Sequence, residues 1–153
     1  MTIKFLKPLF PLLLLITAIG CKNKVKQQDD EIYSRHLQRQ VKLTIITTPM
    51  PADKNDLNLL ILNDGQAVGQ FKVKEIIDSQ YKQKLIKPLL VVAVIAGDRM
   101  KEYGVAGYPD YLNRGNKAGY YDDFINNELY PFAKKNATVR KFKSVAIAGC
   151  SMG

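Results

Sequence analysis

One run of this sequence leaves the chain little freedom. Every residue of "LLVVAVIA" (89–96) is apolar, half of them are β-branched, and Pro88 and Gly97 close the run at either end. A strand is apolar on both faces when both faces are covered, as in the centre of a mostly parallel sheet. Two further stretches read the same way. "LNLLILND" (57–64) is a nearly continuous apolar run ending at Asn63-Asp64-Gly65, and "SVAIAG" (144–149) is a short buried strand. In "RQVKLTIITT" (39–48), Val41, Leu43 and Ile45 alternate with more polar residues, the period of a half-buried strand.

Between the strands the period changes. "VGQFKVKEIIDSQYKQKL" (68–85) places Phe71, Ile76, Ile77 and Tyr81 near helical spacing. "YYDDFINNELYPFAKKN" (120–136) puts Tyr121, Phe124, Ile125, Leu129 and Phe132 on one helix face, with Pro131 expected to end or kink it. The segment 98–119 is rich in Gly, Tyr and charge and reads as a long loop, which in a compact domain usually carries function or is disordered. Buried strands alternating with helices predict an α/β fold, a mostly parallel sheet with helices on both faces.

The N-terminus belongs to a different class. Residues 1–20 carry Lys4 and Lys7, no acid, and then "LFPLLLLITAIG". This is the pattern of a secretory signal, set aside in reasoning about the fold. Cys21 follows Ala18-Ile19-Gly20 and resembles the lipidated cysteine of a bacterial lipobox, with Ala18 where leucine is commonest. An ordinary signal peptide with a chance cysteine is the alternative. Residues 21–38 are read as a lipidated polar tether, which predicts a protein anchored to a membrane of the cell envelope.

Without Lys4 and Lys7 the net charge falls from +9 to +7. Its lysines and arginines are scattered along the chain, without aromatic interleaving. They read as a solvated surface, mildly attracted to anionic lipid or substrate, and not as a nucleic-acid interface. Cys21 and Cys150 show no disulfide or zinc spacing. His36 is the only histidine, so no histidine-based metal cluster is expected, and no cofactor is implied.

The chain ends on Gly149-Cys150-Ser151-Met152-Gly153, a G-x-S-x-G match. Roughly one chain in twenty of this length would carry it by chance. Its context gives it weight, because a buried strand runs straight into it, as a nucleophile turn requires. Such a turn lifts Ser151 above the sheet edge and aims the Met152 N–H at the charge developing on an attacked carbonyl. A second donor is expected from the loop after an earlier strand, where "ILNDGQ" (61–66) lies; a plain Asp-Gly turn is the competing reading. Cys150 occupies the position before the serine and reads as a small inward-facing residue.

These pieces together resemble the esterases of the α/β-hydrolase fold, the group that includes enterochelin esterases, esterase D-like enzymes and the mycolyltransferase antigens. The resemblance runs over about residues 39–153. It rests on Asn63-Asp64-Gly65-Gln66, on Arg99 with Glu102-Tyr103, on Phe124, Glu128, Leu129, Pro131 and Phe132, and on the serine motif. It implies a serine carboxylic-ester hydrolase working through an acyl-enzyme on Ser151. Gln66 and Met152 would give the oxyanion N–H groups, and a small-molecule ester would be the substrate. Arg99 is a weaker candidate, for substrate or for a salt bridge to Glu102 or another acid. The family places its acid and base after the serine. The expectation is therefore an N-terminal part of an esterase domain, cut after the nucleophile-turn strand and inactive alone, with that strand's edge uncovered. His36 is read as a surface residue and not the base. A non-catalytic surface lipoprotein with a degenerate hydrolase half, or an enzyme completed by a second polypeptide, are the alternatives.

Overall fold

The computed structural model describes residues 24–153; the signal segment 1–20 and Cys21 lie outside them. Five strands form one sheet: β1 (Lys26–Ser34), β2 (Arg39–Thr47), β3 (Asn58–Leu62), β4 (Leu89–Val94) and β5 (Val145–Ala148). Their order across the sheet is β1-β2-β4-β3-β5. β1 and β2 form an antiparallel hairpin, β2 also runs antiparallel to β4, and β3 is parallel to both β4 and β5.

The side-chain period sorts the core into two layers. Val41, Leu43 and Ile45 of β2, Leu59 and Ile61 of β3, and Leu90, Val92 and Val94 of β4 face one cluster. Ile46, Val91 and Ala93 face the other. β4 is buried on both sides, which accounts for its unbroken apolar run. One layer is closed by α1 (Val73–Lys82) through Ile77 and Val73. The other is closed by α3 (Ala118–Phe124), a π turn (Ile125–Leu129) and α4 (Tyr130–Ala137), with Tyr121, Phe124, Ile125, Leu129 and Ala133 turned to the sheet. The two crossovers leave β4's neighbourhood in opposite directions and so place their helices on opposite faces. The α/β sheet with helices on both faces is therefore the observed fold.

Several expectations need correction. The polar tether is not one throughout: residues 26–34 form strand β1, registered along its whole length against β2. Its side chains are mostly exposed, so backbone pairing holds it and hydrophobic pattern does not announce it. The first helix begins only at Val73, because Lys72 sits in the left-handed region (φ 50) and breaks the period. Phe71 and Ile76, counted on its apolar face, are exposed. The helix around Pro131 neither ends nor breaks there. Tyr130 N–H reaches back five residues to the Ile125 carbonyl, and this wider turn takes up the proline's missing donor. The 98–119 segment is folded: it contains the short helix α2 (Arg99–Glu102), and Asp110 and Arg114 close a turn through a side-chain ion pair. The last strand differs most. The apolar composition of β5 predicts burial, yet Val145 is 50% and Ile147 57% exposed, because it is the sheet edge and no described residue covers it. Its pairing with β3 is regular, from Leu59–Val145 to Leu62–Ala148.

Candidate active site

The parallel strands β3 and β5 are neighbours and end at the same pole, so their following turns meet. Asn63 N–H donates to the Ala148 carbonyl (2.8 Å), fastening the two strand ends together. Past β5, Ser151 sits at φ 59. A non-glycine residue in the left-handed region costs roughly 1–2 kcal/mol, and here it turns the chain sharply at the end of β5. Gly153 N–H closes the turn on the Cys150 carbonyl (3.1 Å). The turn is tight enough that its two glycines lie back to back. A Cβ on Gly149 would overlap the Gly153 carbonyl, and one on Gly153 would overlap the Asp64 carboxylate.

Past β3, Asp64 is also left-handed (φ 59) and almost wholly buried. Three groups hold it there. Arg99 brings Nε to 2.6 Å from Oδ1 and donates from Nη2 to Oδ2 at 2.8 Å. The Gln66 side-chain amide donates to Oδ1 (2.8 Å), and the Asp64 N–H donates to Tyr103 Oη (3.1 Å). Tyr121 Oη donates to Asn63 Oδ1 (2.7 Å), and the two tyrosine rings meet edge to face at 5.3 Å. Burial pushes both phenols above the usual tyrosine range, so both remain protonated. Ala67 and Val68 N–H close the turn onto Asp64 and Gly65, while Gln66 N–H takes no part in that ladder.

Gly65 fits where no larger residue would. A Cβ there would lie 2.9 Å from Ala93 C, Ala93 O and Val94 C, all of them backbone atoms of β4. Gly65→Ala is expected to lower unfolding stability by about 1–3 kcal/mol, as overpacking against a fixed backbone does. Gly69→Ala, where nothing lies within 4 Å, is the control and should shift stability by less than about 0.5 kcal/mol. Urea unfolding of both variants checks the contrast.

The residues singled out by sequence divide as follows. Ser151, Met152 and Gln66 lie on the two facing turns. Arg99 is there too, but its charge is engaged by Asp64; Glu102, the partner considered for it, instead pairs with Arg39 through two hydrogen bonds (2.8 and 2.7 Å). Cys150 is exposed, contrary to the inward-facing reading, because the strand it follows is an open edge. His36 is in the β1–β2 turn, 3.7 Å from Asp123. β2 lies three strand spacings from β5, roughly 14 Å, beyond reach of Ser151. Sequence reasoning missed Tyr103, Tyr121 and the Asp64–Arg99 pair as supports of the turn. Asp64, left-handed and buried, is what they hold, and nothing adjacent to it in the sequence announces them.

A family model described as "Putative esterase" matches residues 34–153, five residues earlier than the domain start expected from sequence. No curated protein matches. Among solved structures, a ferulic acid esterase aligns at 22% identity and TM-score 0.63, covering 86% of this chain and 51% of its own. An IroE-like serine hydrolase from Shewanella oneidensis aligns at 23% and 0.66, covering 84% and 43%. Enterochelin esterase from Shigella flexneri aligns at 20% and 0.58, covering 74% and 26%. The chain thus spans about half or less of the structures it matches, and at these identities they speak to the fold. With the match covering most of its length, and with the strand-turn geometry to accompany it, the chain belongs to this esterase family.

Proposed function

We propose that the protein is the nucleophile-bearing part of a serine carboxylic-ester hydrolase. The observation that carries this is Ser151 in a left-handed turn at the end of β5, facing the Asn63–Gln66 turn at the end of β3. Ser151 Oγ attacks the ester carbonyl and its proton passes to a base. The carbonyl oxygen becomes an oxyanion received by the N–H groups of Gln66 and Met152. Collapse expels the alcohol and leaves an acyl-serine, which water then hydrolyses. No described residue brings a histidine to Ser151, so turnover requires an acid and base supplied from outside residues 24–153. The substrate class is a small-molecule ester, in keeping with relatives named for enterochelin and ferulic acid esters. We further place the protein on an envelope membrane through a lipidated Cys21, a reading that rests on the N-terminal sequence alone.

A fluorophosphonate probe tests the nucleophile. Membranes of cells making the protein are labelled and the adduct is located by peptide mass spectrometry. Where the acid and base are present, the expected adduct is on Ser151. An adduct on Cys150 or elsewhere would refute the assignment, and absence of any adduct would favour a non-catalytic surface protein.

A further inference from the structure

The lysines that look scattered in sequence are not scattered in space. The parallel strands begin at one pole and end at the other. The ending pole holds the Asn63–Gln66 and Cys150–Gly153 turns, and four of its cations are matched, Arg39 with Glu102, Arg99 with Asp64, Lys101 with Asp98 and Arg114 with Asp110, while Lys72 and Lys117 stand unpaired among the described residues. The beginning pole gathers the β2–β3, α1–β4 and α4–β5 connections and the start of β1, since Lys26 pairs with Thr47 and Thr47 with Leu90. Lys26, Lys54, Lys84, Lys87, Arg140 and Lys141 stand exposed there, and none takes part in an ion pair among the described residues. At this pole Asp56 is already taken by Lys143 (2.6 Å), and Asp53 caps the turn that follows it.

Two large apolar side chains project among these cations: Leu85, 65% exposed, and Met50, 43% exposed. Lysines surrounding exposed apolar tips are what a headgroup layer accommodates, with the tips in the interface and the cations against phosphates. The described chain also enters at this pole, at Lys24. From Cys21 to Lys24 the backbone spans at most about 10 Å, and the apolar run "LFPLLLLITAIG" ends just before it.

We propose that this basic pole is a docking surface for an anionic lipid bilayer, which sets the Ser151 pole facing away from the membrane. The proposal rests on where charge lies and is independent of the ester chemistry. Orientation follows from it: the site opens to the aqueous side, where a soluble ester arrives, and the pole where unpaired cations are densest meets lipid.

The test is lysine footprinting of the full chain mixed with vesicles of phosphatidylcholine alone, or of phosphatidylcholine with about one third phosphatidylglycerol. Acylation by a small amine-reactive ester is mapped by mass spectrometry. On the anionic vesicles, Lys54, Lys84, Lys87 and Lys141 are expected to react at least about threefold more slowly than on neutral ones, while Lys72, Lys101 and Lys117 at the other pole are unchanged. Because each lysine is its own reporter, an N-terminus that binds both vesicles does not obscure the comparison. Equal reactivity on both vesicles, equal protection at both poles, or no binding to anionic vesicles would overturn the proposal. Equal protection of the same lysines by soluble polyphosphate would assign the surface to polyanions in general, and would overturn the lipid assignment.

Discussion

Where acid and base are present, Ser151→Ala is expected to abolish fluorophosphonate capture and to lower ester turnover by about a million-fold. Removing the nucleophile of a working triad costs that much, because no other step opens the carbonyl. Binding should change little, since the hydroxyl contributes to the reaction and not to the shape of the turn. A companion variant separates chemistry from folding. Ser151 occupies φ 59, where a side chain is penalised by roughly 1–2 kcal/mol and glycine is not. Against this, glycine makes the unfolded chain more flexible, costing about 0.4–1 kcal/mol. Ser151→Gly should therefore leave unfolding stability unchanged or raise it by up to about 1.6 kcal/mol while being equally dead. Unfolding midpoints and label incorporation on the same two variants check both halves. A Ser151→Gly protein that loses several kcal/mol would mean that the left-handed turn is not the native conformation, and retained labelling in Ser151→Ala would remove the nucleophile.

What sequence reveals here follows from how local each signal is. The central strands were legible because β4 is buried on both faces, and β2 on one face throughout and on the other at Thr44 and Ile46, and burial writes itself directly into residue type. The serine turn was legible because a strand and two obligatory glycines are contiguous with Ser151. β1 was not: "KQQDDEIYS" is held by backbone pairing at a sheet rim, which asks almost nothing of side chains. The exposure of β5 was hidden for the opposite reason, since "VAIA" has the same composition whether or not its faces are covered. The supports of the second turn were invisible because they are distant along the chain. Arg99 reaches Asp64 across 35 positions and Tyr121 reaches Asn63 across 58. The basic pole is hidden in the same way, for its cations come from three connections and a strand start that only the sheet brings together.

Phe124 links that sheet to the site, and Phe124→Ala is expected to have the largest effect on stability. The ring is fully buried between α3 and the sheet and packs at 5.9 Å from Tyr121. Truncating a buried phenylalanine costs about 3–5 kcal/mol, the lost transfer energy plus the cavity left behind. Domains of this size hold only about 5–15 kcal/mol in total, so a loss of that size moves the unfolding midpoint far enough to bring the variant near the edge of folding. Phe132→Ala, on the same helical segment but only partly buried, should cost much less. Phe124→Leu should recover most of the stability, because it refills the volume with an apolar group. The conservative variant also carries the functional test. Without the ring, Tyr121 loses one wall of its packing, and Tyr121 Oη is what fastens Asn63 beside the Ala148 carbonyl. A folded Phe124→Leu protein should therefore show faster amide exchange at Asn63 and Asp64, whose N–H groups are bonded to the Ala148 carbonyl and Tyr103 Oη, than at β4 residues of the same sheet. Uniform exchange across both would mean that the helix holds the sheet but not the turn.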